Sequence, residues 1–511
     1  MSMNKGEEDK VPEEQPLQDN EKKPEVERKS LIQKLCYIKS QITVEPILAG
    51  LVIPTMLSRL AIQNLNLDKS CRVNLRYGDQ ICDDLLHRTG NSSLYEAEVQ
   101  RVISNIEAWK SIIQTAIPTI FVIFMGAWSD RTGNRKVCIL LPIFGDFLVC
   151  MSNILSTVFF YEINLEVTMF LEAFFPAITG GWVTVYLGVF SYISDITDKE
   201  SRTYRVGLVN LCLTAGIPIG TALSGVLLKL LGYYGVFAIS SAIYLATLAY
   251  GFFYLKSNTK PGIDNEKVKP IKVTDLVSLV KETGMVAFKK REGKTRKKLI
   301  IILLIVAIIY GPNHGERIIT YLYVRYKLKW DAVKFSMYST YSIITHALGA
   351  LFSITVFSKR WGFHDSMLCL ISIVSKLVGS ILLAFVSTDL EMFMVPLVEI
   401  LNATTFTSLR SMVTKLVQSE EMGKMNSLFS LVETLGALMF DPTYSALYAN
   451  TLTIFTGTVY LFSATMTLPT ISMLIWLFIQ HRREIKQRKL STIEKGEKLE
   501  NLDKKEAEEN K

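Results

Sequence analysis

The feature that most constrains this chain is a set of long apolar runs that contain almost no charge. Examples are residues 299–310, LIIILLIVAIIY, and residues 460–480, YLFSATMTLPTISMLIWLFIQ. Charge is concentrated elsewhere, with 17 charged residues in 1–40 and 18 in 481–511. The mean hydropathy is therefore positive, +0.26, which is rare for a soluble protein of 511 residues. The pattern predicts a polytopic membrane protein and argues against soluble enzymes and nucleic-acid-binding proteins.

A helix that crosses a bilayer needs about 20 mostly apolar residues. Scanning for such segments predicts an all-α polytopic membrane protein with twelve transmembrane helices in two six-helix halves. The predicted spans are 44–66, 103–128, 137–160, 167–194, 204–229, 234–255, 299–324, 333–357, 366–388, 391–416, 424–448 and 452–479.

The distribution of Lys and Arg predicts the orientation, because basic loops stay on the cytosolic side. The short connections 161–166, 388–390 and 449–451 contain no Lys or Arg and are expected outside. Both termini are then cytosolic. The predicted organisation begins with a disordered tail (1–40) and a first half (41–255). A basic linker (256–298), a second half (299–480) and a second tail (481–511) follow.

The linker 256–298 holds thirteen Lys or Arg residues against five acidic ones. It therefore carries a charge of +8, equal to the net charge of the whole chain. Within it, apolar residues recur at helical spacing from Leu276 to Phe288. This spacing is typical of an amphipathic helix at the inner interface, with a plain solvated linker as the alternative.

Cys71 and Cys82 lie together in a polar stretch between the first two predicted spans. The same stretch contains Asn91 in an Asn-Ser-Ser glycosylation sequon. A close cysteine pair and a sequon both indicate a non-cytosolic loop. We therefore expect a Cys71 to Cys82 disulfide and a glycan on Asn91.

The most specific local motif is GAWSDRTGNRK, residues 126–136, between the second and third spans. Its glycines allow close helix approach and a tight reversal, while its charged residues can pair with carboxylates at other helix ends. Such a cluster can hold the cytosolic side shut and release it. The predicted gating residues are Gly126, Asp130, Arg131, Gly133, Arg135, the partner Asp195 and Arg205.

This motif resembles the cytosolic signature of the major facilitator superfamily. The strings GAWSD and SDITDKESRTYR (194–205), with Thr43-Val44-Glu45-Pro46, resemble solute carrier family 46, which includes the proton-coupled folate transporter and lysosomal relatives. The similarity runs from about 44 to 480. It implies a secondary active symporter that moves a small organic anion by alternating access, with protons as the coupling ion.

Two residues depart from the family pattern. Asn210 stands where proton-coupled folate transporters carry a glutamate, and an amide cannot exchange a proton near neutral pH. Asn134 replaces the first basic residue after Gly133. The alternatives are therefore an uncoupled facilitative carrier, or a receptor or adaptor that keeps the transporter fold.

Ionisable residues inside spans usually mark pathways or buried pairs. Arg410 resembles the arginine of the family's tenth span and could bind a carboxylate or phosphate. YGPNHGER (310–317) is expected to break the seventh span and to expose backbone to a cavity. The predicted substrate-binding set is Arg410, His314, Glu316, Arg317, Asn210, Lys376, Glu172 and His346. Glu433 is a further candidate. For it and for each charged residue of this set, the alternative is a structural pair between two helices.

The sequence contains no Walker-type phosphate loop, metal-ligand cluster or nucleophile motif. It therefore predicts neither an enzyme nor a cofactor. Glu27, Leu31 and Ile32 match an acidic dileucine signal that sorting adaptors read. The expected location is the plasma membrane or the endolysosomal membrane, with the lipid bilayer, an organic anion and protons as partners and without a nucleic-acid partner.

Overall fold

The computed structural model describes residues 43–87, 93–197, 199–255, 294–418 and 421–509. The described residues contain no β-strand and are helical almost throughout. In chain order, α1 to α14 span Glu45–Lys69, Asp79–His87, Ser93–Thr132, Arg135–Val158, Leu165–Thr179, Gly181–Ile196, Lys199–Tyr254, Thr295–Lys327, Ala332–Phe352, Asp365–Phe385, Asp389–Val398, Thr405–Leu416, Met422–Thr451 and Thr458–Glu509. An all-helical membrane fold, as predicted, is confirmed.

Nine helices in the described part of the chain are long and apolar enough to cross a membrane. The number is ten if α11 and α12, which meet at a bend of 42°, form one broken span. One of the nine segments, Arg205–Tyr254, contains the non-helical residue Gly232. A straight helix of its 50 residues would be about 75 Å long, far beyond a bilayer. The predicted count of twelve remains a prediction.

Local chemistry explains several helix ends. Asn164 caps α5 by accepting a hydrogen bond from the Val167 amide at 3.1 Å, and Asp331 caps α9 through the Lys334 amide at 2.9 Å. The predicted fourth span is divided into α5 and α6. The division falls at Gly180, whose φ of +90° is a conformation that glycine adopts without strain.

We call α1–α7 the first half and α8–α14 the second half. Within the first half, α7 packs on α1 and α4; within the second, α8 packs on α13 and α10 on α14. The halves meet where α3 packs on α13 and where α7 packs on α9. At the second contact, Gly225 allows the close approach, because a Cβ there would lie 2.8 Å from Val333 Cα.

One end of the bundle carries a disulfide between Cys71 and Cys82, whose Cα atoms are 5.8 Å apart. We call it the disulfide end. There Arg72 donates to Asp68 at 2.7 Å and to Asp79 at 2.6 Å. The disulfide and this arginine fasten α2 to the end of α1, so the predicted loop between the first spans begins with a helix fixed to the first span.

The predicted break at 310–317 is wrong, because α8 is one helix from Thr295 to Lys327 and passes through Pro312. Its glycines serve packing instead. A Cβ at Gly311 would collide with the ring of Phe440, and one at Gly315 would lie 2.5 Å from Tyr444 Cγ. The glycines thus bring α8 close to α13 rather than opening its backbone.

Candidate functional site

Polar side chains follow one face of α8 from its middle to the disulfide end. They are Tyr310, His314, Arg317, Tyr321 and Arg325, with spacings of four, three, four and four residues. Residues at such spacings lie on the same side of a helix. The last three of them contact residues of the first half, so this face of α8 is turned toward the interface between the halves.

At the disulfide end this face joins the two halves by buried polar contacts. Arg325 Nε lies 3.0 Å from Glu96 Oε1, and Arg325 Nη1 donates to Asn64 Oδ1 at 3.2 Å. The third donor, Nη2, bonds the carbonyl of Leu85 at 3.0 Å. Tyr321 also donates to Asn64, at 2.9 Å. We call the Arg325 to Glu96 pair and these bonds the inter-half latch.

Gln100 extends the latch to α13. Its amide donates to Glu96 at 2.8 Å and to the carbonyl of Leu322 at 3.1 Å, and its oxygen accepts a hydrogen bond from Tyr448 at 2.8 Å. Glu96, Gln100 and Tyr448 are all buried. The halves are therefore held together at the disulfide end by a buried polar network.

Deeper in the bundle, Arg59 of α1 faces Arg317 of α8. Arg59 Nη2 donates to the Arg317 carbonyl at 3.5 Å. Both residues are solvent exposed although both lie in membrane-spanning helices. Because Arg59 contacts the opposite half, its exposed surface borders the space between the halves.

Next along α8, His314 Nδ1 lies 2.8 Å from both carboxylate oxygens of Asp441 on α13. The histidine side chain is 42% exposed, whereas the Asp441 side chain is 2% exposed. The pair thus joins a buried carboxylate to a partly exposed imidazole ring.

Arg410, the residue that resembles the family arginine, lies on α12. Its Nη2 donates to Glu433 Oε2 at 3.1 Å, and its guanidinium lies 4.8 Å from the centre of the Phe429 ring. The Arg410 side chain is nevertheless 47% exposed. Arg410, predicted to bind substrate, therefore borders open space, but its guanidinium already has a carboxylate partner.

Aromatic side chains of both halves lie near these charges. Tyr310 stacks on His314 with ring centres 6.1 Å apart, and it meets Phe406 edge to face at 5.4 Å. In the first half, Tyr186 packs on Trp182 at 5.9 Å and interacts electrostatically with Tyr310. Aromatic side chains of the two halves thus lie near each other beside these charges.

Lys376 does not border the inter-half space. It is buried between Glu316 at 2.5 Å and Glu399 at 3.1 Å, and His346 Nε2 lies 3.9 Å from Glu399. Two carboxylates already satisfy the ammonium group, so this geometry argues against the expectation that Lys376 attracts an anion. Glu316 likewise faces the interior of the second half rather than a ligand.

Glu172 has the same kind of setting in the first half. Lys110 lies 2.8 Å from Glu172 and 3.2 Å from Glu107, and Asn66 donates to Glu172 at 3.2 Å. Asn210, the other predicted residue of this half, is exposed on α7. Glu172 is thus engaged in a buried pair, and Asn210 remains accessible.

The predicted gating motif lies at the opposite end from the disulfide. Arg135 Nε donates to Asp195 Oδ2 at 3.0 Å and Nη1 donates to Ser129 at 3.0 Å. Gly133 makes the reversal with a φ of +72°. At Gly126 a Cβ would lie 3.3 Å from Leu187, so the second and fourth predicted spans approach closely here. We call this the motif end.

Other predicted residues lie near the motif end or outside the described residues. Arg205 is buried 3.6 Å from Glu45, and Arg131 is exposed. The Asp130 side chain, the 256–293 part of the linker with its amphipathic segment, Asn91, and the signal at Glu27, Leu31 and Ile32 lie outside the described residues.

Sequence analysis missed several charged residues of this region: Arg59, Glu96, Glu107, Arg325, Glu399 and Asp441. Each is an isolated charge in or beside an apolar span, which is the signal that could have identified it. No group of three or more His, Cys, Asp or Glu side chains that could hold a metal ion occurs among the described residues.

A sequence profile described as Major Facilitator Superfamily matches residues 108–440. The "Probable peptidoglycan muropeptide transporter SLC46" of Drosophila melanogaster is 23% identical over 431 residues, which cover 82% of each chain. The human "Lysosomal proton-coupled steroid conjugate and bile acid symporter SLC46A3" is 26% identical, covering 75% of this chain and 81% of its own. The rat "Proton-coupled folate transporter" is 23% identical, covering 72% and 77%.

Solved structures agree on the fold. The human organic anion transporter MFSD10 (TETRAN) has a TM-score of 0.55 at 14% identity, covering 84% of this chain and 98% of its own. The nucleoside transporter NupG has a TM-score of 0.58 at 15% identity, covering 86% and 100%. The predicted resemblance is confirmed: this multi-pass membrane protein is a transporter rather than an enzyme, it resembles solute carrier family 46, and it belongs to the Major Facilitator Superfamily.

Proposed function

We propose that the protein is a secondary active transporter that moves a small organic anion by alternating access. The observation that carries this proposal is the polar face of α8, on which His314 pairs with Asp441 and Arg317 contacts Arg59 of the first half. Charges at that depth are costly and are retained where they bind or move a solute.

Proton coupling is the energy source that the arrangement supports best. The glutamate of the folate transporters is absent at Asn210, so another group must carry the proton. His314 and Asp441 form a titratable pair beside the inter-half space, and protonation would change the charge next to Arg317. Uptake or release of a substrate anion would then be linked to the proton.

The two ends of the bundle would open in turn. At the disulfide end the inter-half latch is closed in this structure. At the motif end, the Arg135 to Asp195 pair, with Gly126, Asp130, Arg131, Gly133 and Arg205, would form and break as the halves rock. Residues 41–255 and 299–480 would be the moving halves, joined by a cytosolic linker, with both tails cytosolic.

Relatives described as transporters of muropeptides, of steroid conjugates and bile acids, and of folate support an organic anion of this kind as the substrate. The lysosomal relative supports an endolysosomal membrane as the location, with the plasma membrane as the alternative. A glycan at Asn91 would place the disulfide end on the non-cytosolic side. Arg410, exposed beside Glu433, would contact the substrate once that carboxylate turns away.

Uptake of labelled folate, taurocholate, oestrone sulfate and muramyl dipeptide into proteoliposomes tests this function. We expect accumulation of at least one anion, driven by an inward proton gradient and abolished by a protonophore. Accumulation that ignores the gradient would exclude proton coupling and leave a facilitative carrier. Saturable binding without flux of any of these anions would favour a receptor or adaptor, the alternative that Asn210 keeps open.

A further inference from the structure

We propose that Arg59 and Arg317 form an anion clamp that binds the oxyanion group of the substrate, whether carboxylate, sulfate or phosphate. The clamp draws one guanidinium from each half. This inference rests on the proposed function and deepens it, because it names the residues and the chemical class of ligand at the centre of the inter-half space.

The two guanidinium groups differ from four other cations of the spans, which are all paired with carboxylates. Lys110, Lys376, Arg325 and Arg410 each lie within 3.2 Å of a carboxylate oxygen. In the part of the chain that the structure describes, Arg59 and Arg317 form no ion pair. One weak bond to a carbonyl leaves most of their donors open.

The electrostatics of the site favour an incoming anion. Arg59 and Arg317 repel each other, and the carboxylate that attracts Arg59 is Glu107, which is shared with Lys110 at 3.2 Å. Two cations at this depth are costly without a counter-charge. A guanidinium binds a planar or tetrahedral oxyanion through two parallel hydrogen bonds. An oxyanion between the two groups would neutralise both charges and replace repulsion by a bridge.

The surroundings of the clamp indicate the rest of the ligand. Tyr310 lies seven residues before Arg317, about 10 Å along the helix axis. Its side chain lies near enough to Tyr186 of the first half for the two to interact electrostatically, and both side chains are partly exposed. A ligand with its oxyanion group between the arginines would therefore lay a flat apolar body between these rings. An aromatic or polycyclic organic anion fits this space better than a small inorganic ion.

Arg410 has a different place in this arrangement. It is paired with Glu433 and stacked on Phe429, so its charge is already balanced. The clamp, in contrast, belongs to both halves and can hold them together only when the anion is bound. Arg59 and Arg317 therefore provide the first contact of the anionic group.

Binding tests the clamp independently of transport. Full-length wild type, Arg59→Gln, Arg317→Gln and the double variant are purified in detergent and heated in sodium sulfate or in sodium chloride of equal ionic strength. We expect a sulfate-specific rise in melting temperature in the wild type and its loss in the double variant. Arg296→Gln is the control, since Arg296 is exposed on the same helix about 30 Å away. An equal rise in the double variant would overturn the clamp.

Oestrone sulfate and uncharged oestrone then test the predicted body of the ligand. Each single substitution should weaken sulfate-ester binding by on the order of tenfold and leave oestrone binding unchanged. Arg59→Lys and Arg317→Lys keep the charge and distinguish lost recognition from misfolding. If wild type transports an anion and the Gln variants do so equally well, the clamp fails while the function stands. If no anion is transported but sulfate stabilisation still requires the arginines, the function fails while the clamp stands.

Discussion

Arg325 of the second half and Glu96 of the first half form an ion pair at 3.0 Å in which the side chains are only 3% and 4% exposed. Asn64, Gln100 and the Leu85 carbonyl satisfy the remaining donors and acceptors. A buried charge without its partner is costly. The disulfide end can therefore be closed with all groups satisfied or open to water, and intermediate arrangements are disfavoured.

Breaking this pair should destabilise the closed state. Removing one partner of a buried pair costs about 3–5 kcal/mol, while replacing both by apolar groups is often neutral. We expect Glu96→Gln and Arg325→Met each to lower the melting temperature, and the double variant to recover most of the loss. Thermal unfolding of wild type, the two single variants and the double variant in detergent gives the coupling energy between Glu96 and Arg325. Additive losses would show that the two residues act independently.

The same variants should populate an open disulfide end. Spin labels on Tyr161→Cys and Leu390→Cys report the distance between the halves at this end. Both positions are exposed, and the free cysteines are replaced in the background protein. We expect the single variants to shift the distance distribution toward longer values. An unchanged distribution would mean that the latch does not hold the end closed.

His314 should be needed for the pH dependence of uptake. It is partly exposed and bonded to buried Asp441, so substitution removes a proton site beside the proposed clamp. We expect His314→Gln and Asp441→Asn to flatten the rise in uptake between about pH 7.5 and about pH 5.5, because each substitution removes a member of the pair proposed to carry the coupled proton. Initial rates of labelled anion uptake at fixed membrane potential measure the effect.

His364 provides the matched control. It lies between two spans and caps α10. Burial, with a smaller contribution from neighbouring His481, lowers the pKa of His364 to about 4. It therefore stays neutral from pH 7.5 to 5.5, and His364→Gln should keep the wild-type pH profile. A flattened profile in this control, or a normal one in His314→Gln, would contradict the assignment.

The fold class could be predicted from the sequence because apolar run length and loop charge act locally. The pairing of charges could not be predicted in the same way. His314 and Asp441 are 127 positions apart, and Arg325 and Glu96 are 229 apart. Hydropathy identifies the spans that hold these residues but not the helix faces that meet, which packing between distant segments decides.

The misread segment at 310–317 has a physical explanation. Glycine and proline weaken an isolated helix, so the sequence favoured a break. In the folded protein, Gly311 and Gly315 allow Phe440 and Tyr444 of α13 to pack against α8. This packing supports a continuous helix through Pro312, so tertiary contacts override the local helix propensity.

Gly349 should be intolerant of any side chain. A Cβ there would overlap the backbone carbonyl of Ile400 and lie 2.7 Å from Ile400 Cγ1, and that backbone cannot yield easily. We expect Gly349→Ala to lower the free energy of unfolding by about 1–3 kcal/mol. At Gly207, where a Cβ would meet nothing within 4 Å, alanine should be tolerated. Thermal unfolding of both variants makes the comparison, and equal stability would refute the close contact.

Lys376 should act in stability rather than in ligand binding. Glu316 and Glu399 both contact its ammonium group in the buried interior of the second half, so removing the cation leaves two carboxylates facing each other. We expect Lys376→Met to cost about 3–5 kcal/mol, and the triple variant with Glu316→Gln and Glu399→Gln to restore most of it. Lys229→Met is the control, because Lys229 is exposed on α7. Measuring both melting temperature and anion affinity separates the two roles. If Lys376→Met kept the wild-type melting temperature but lost affinity for the anion, Lys376 would be a binding residue after all.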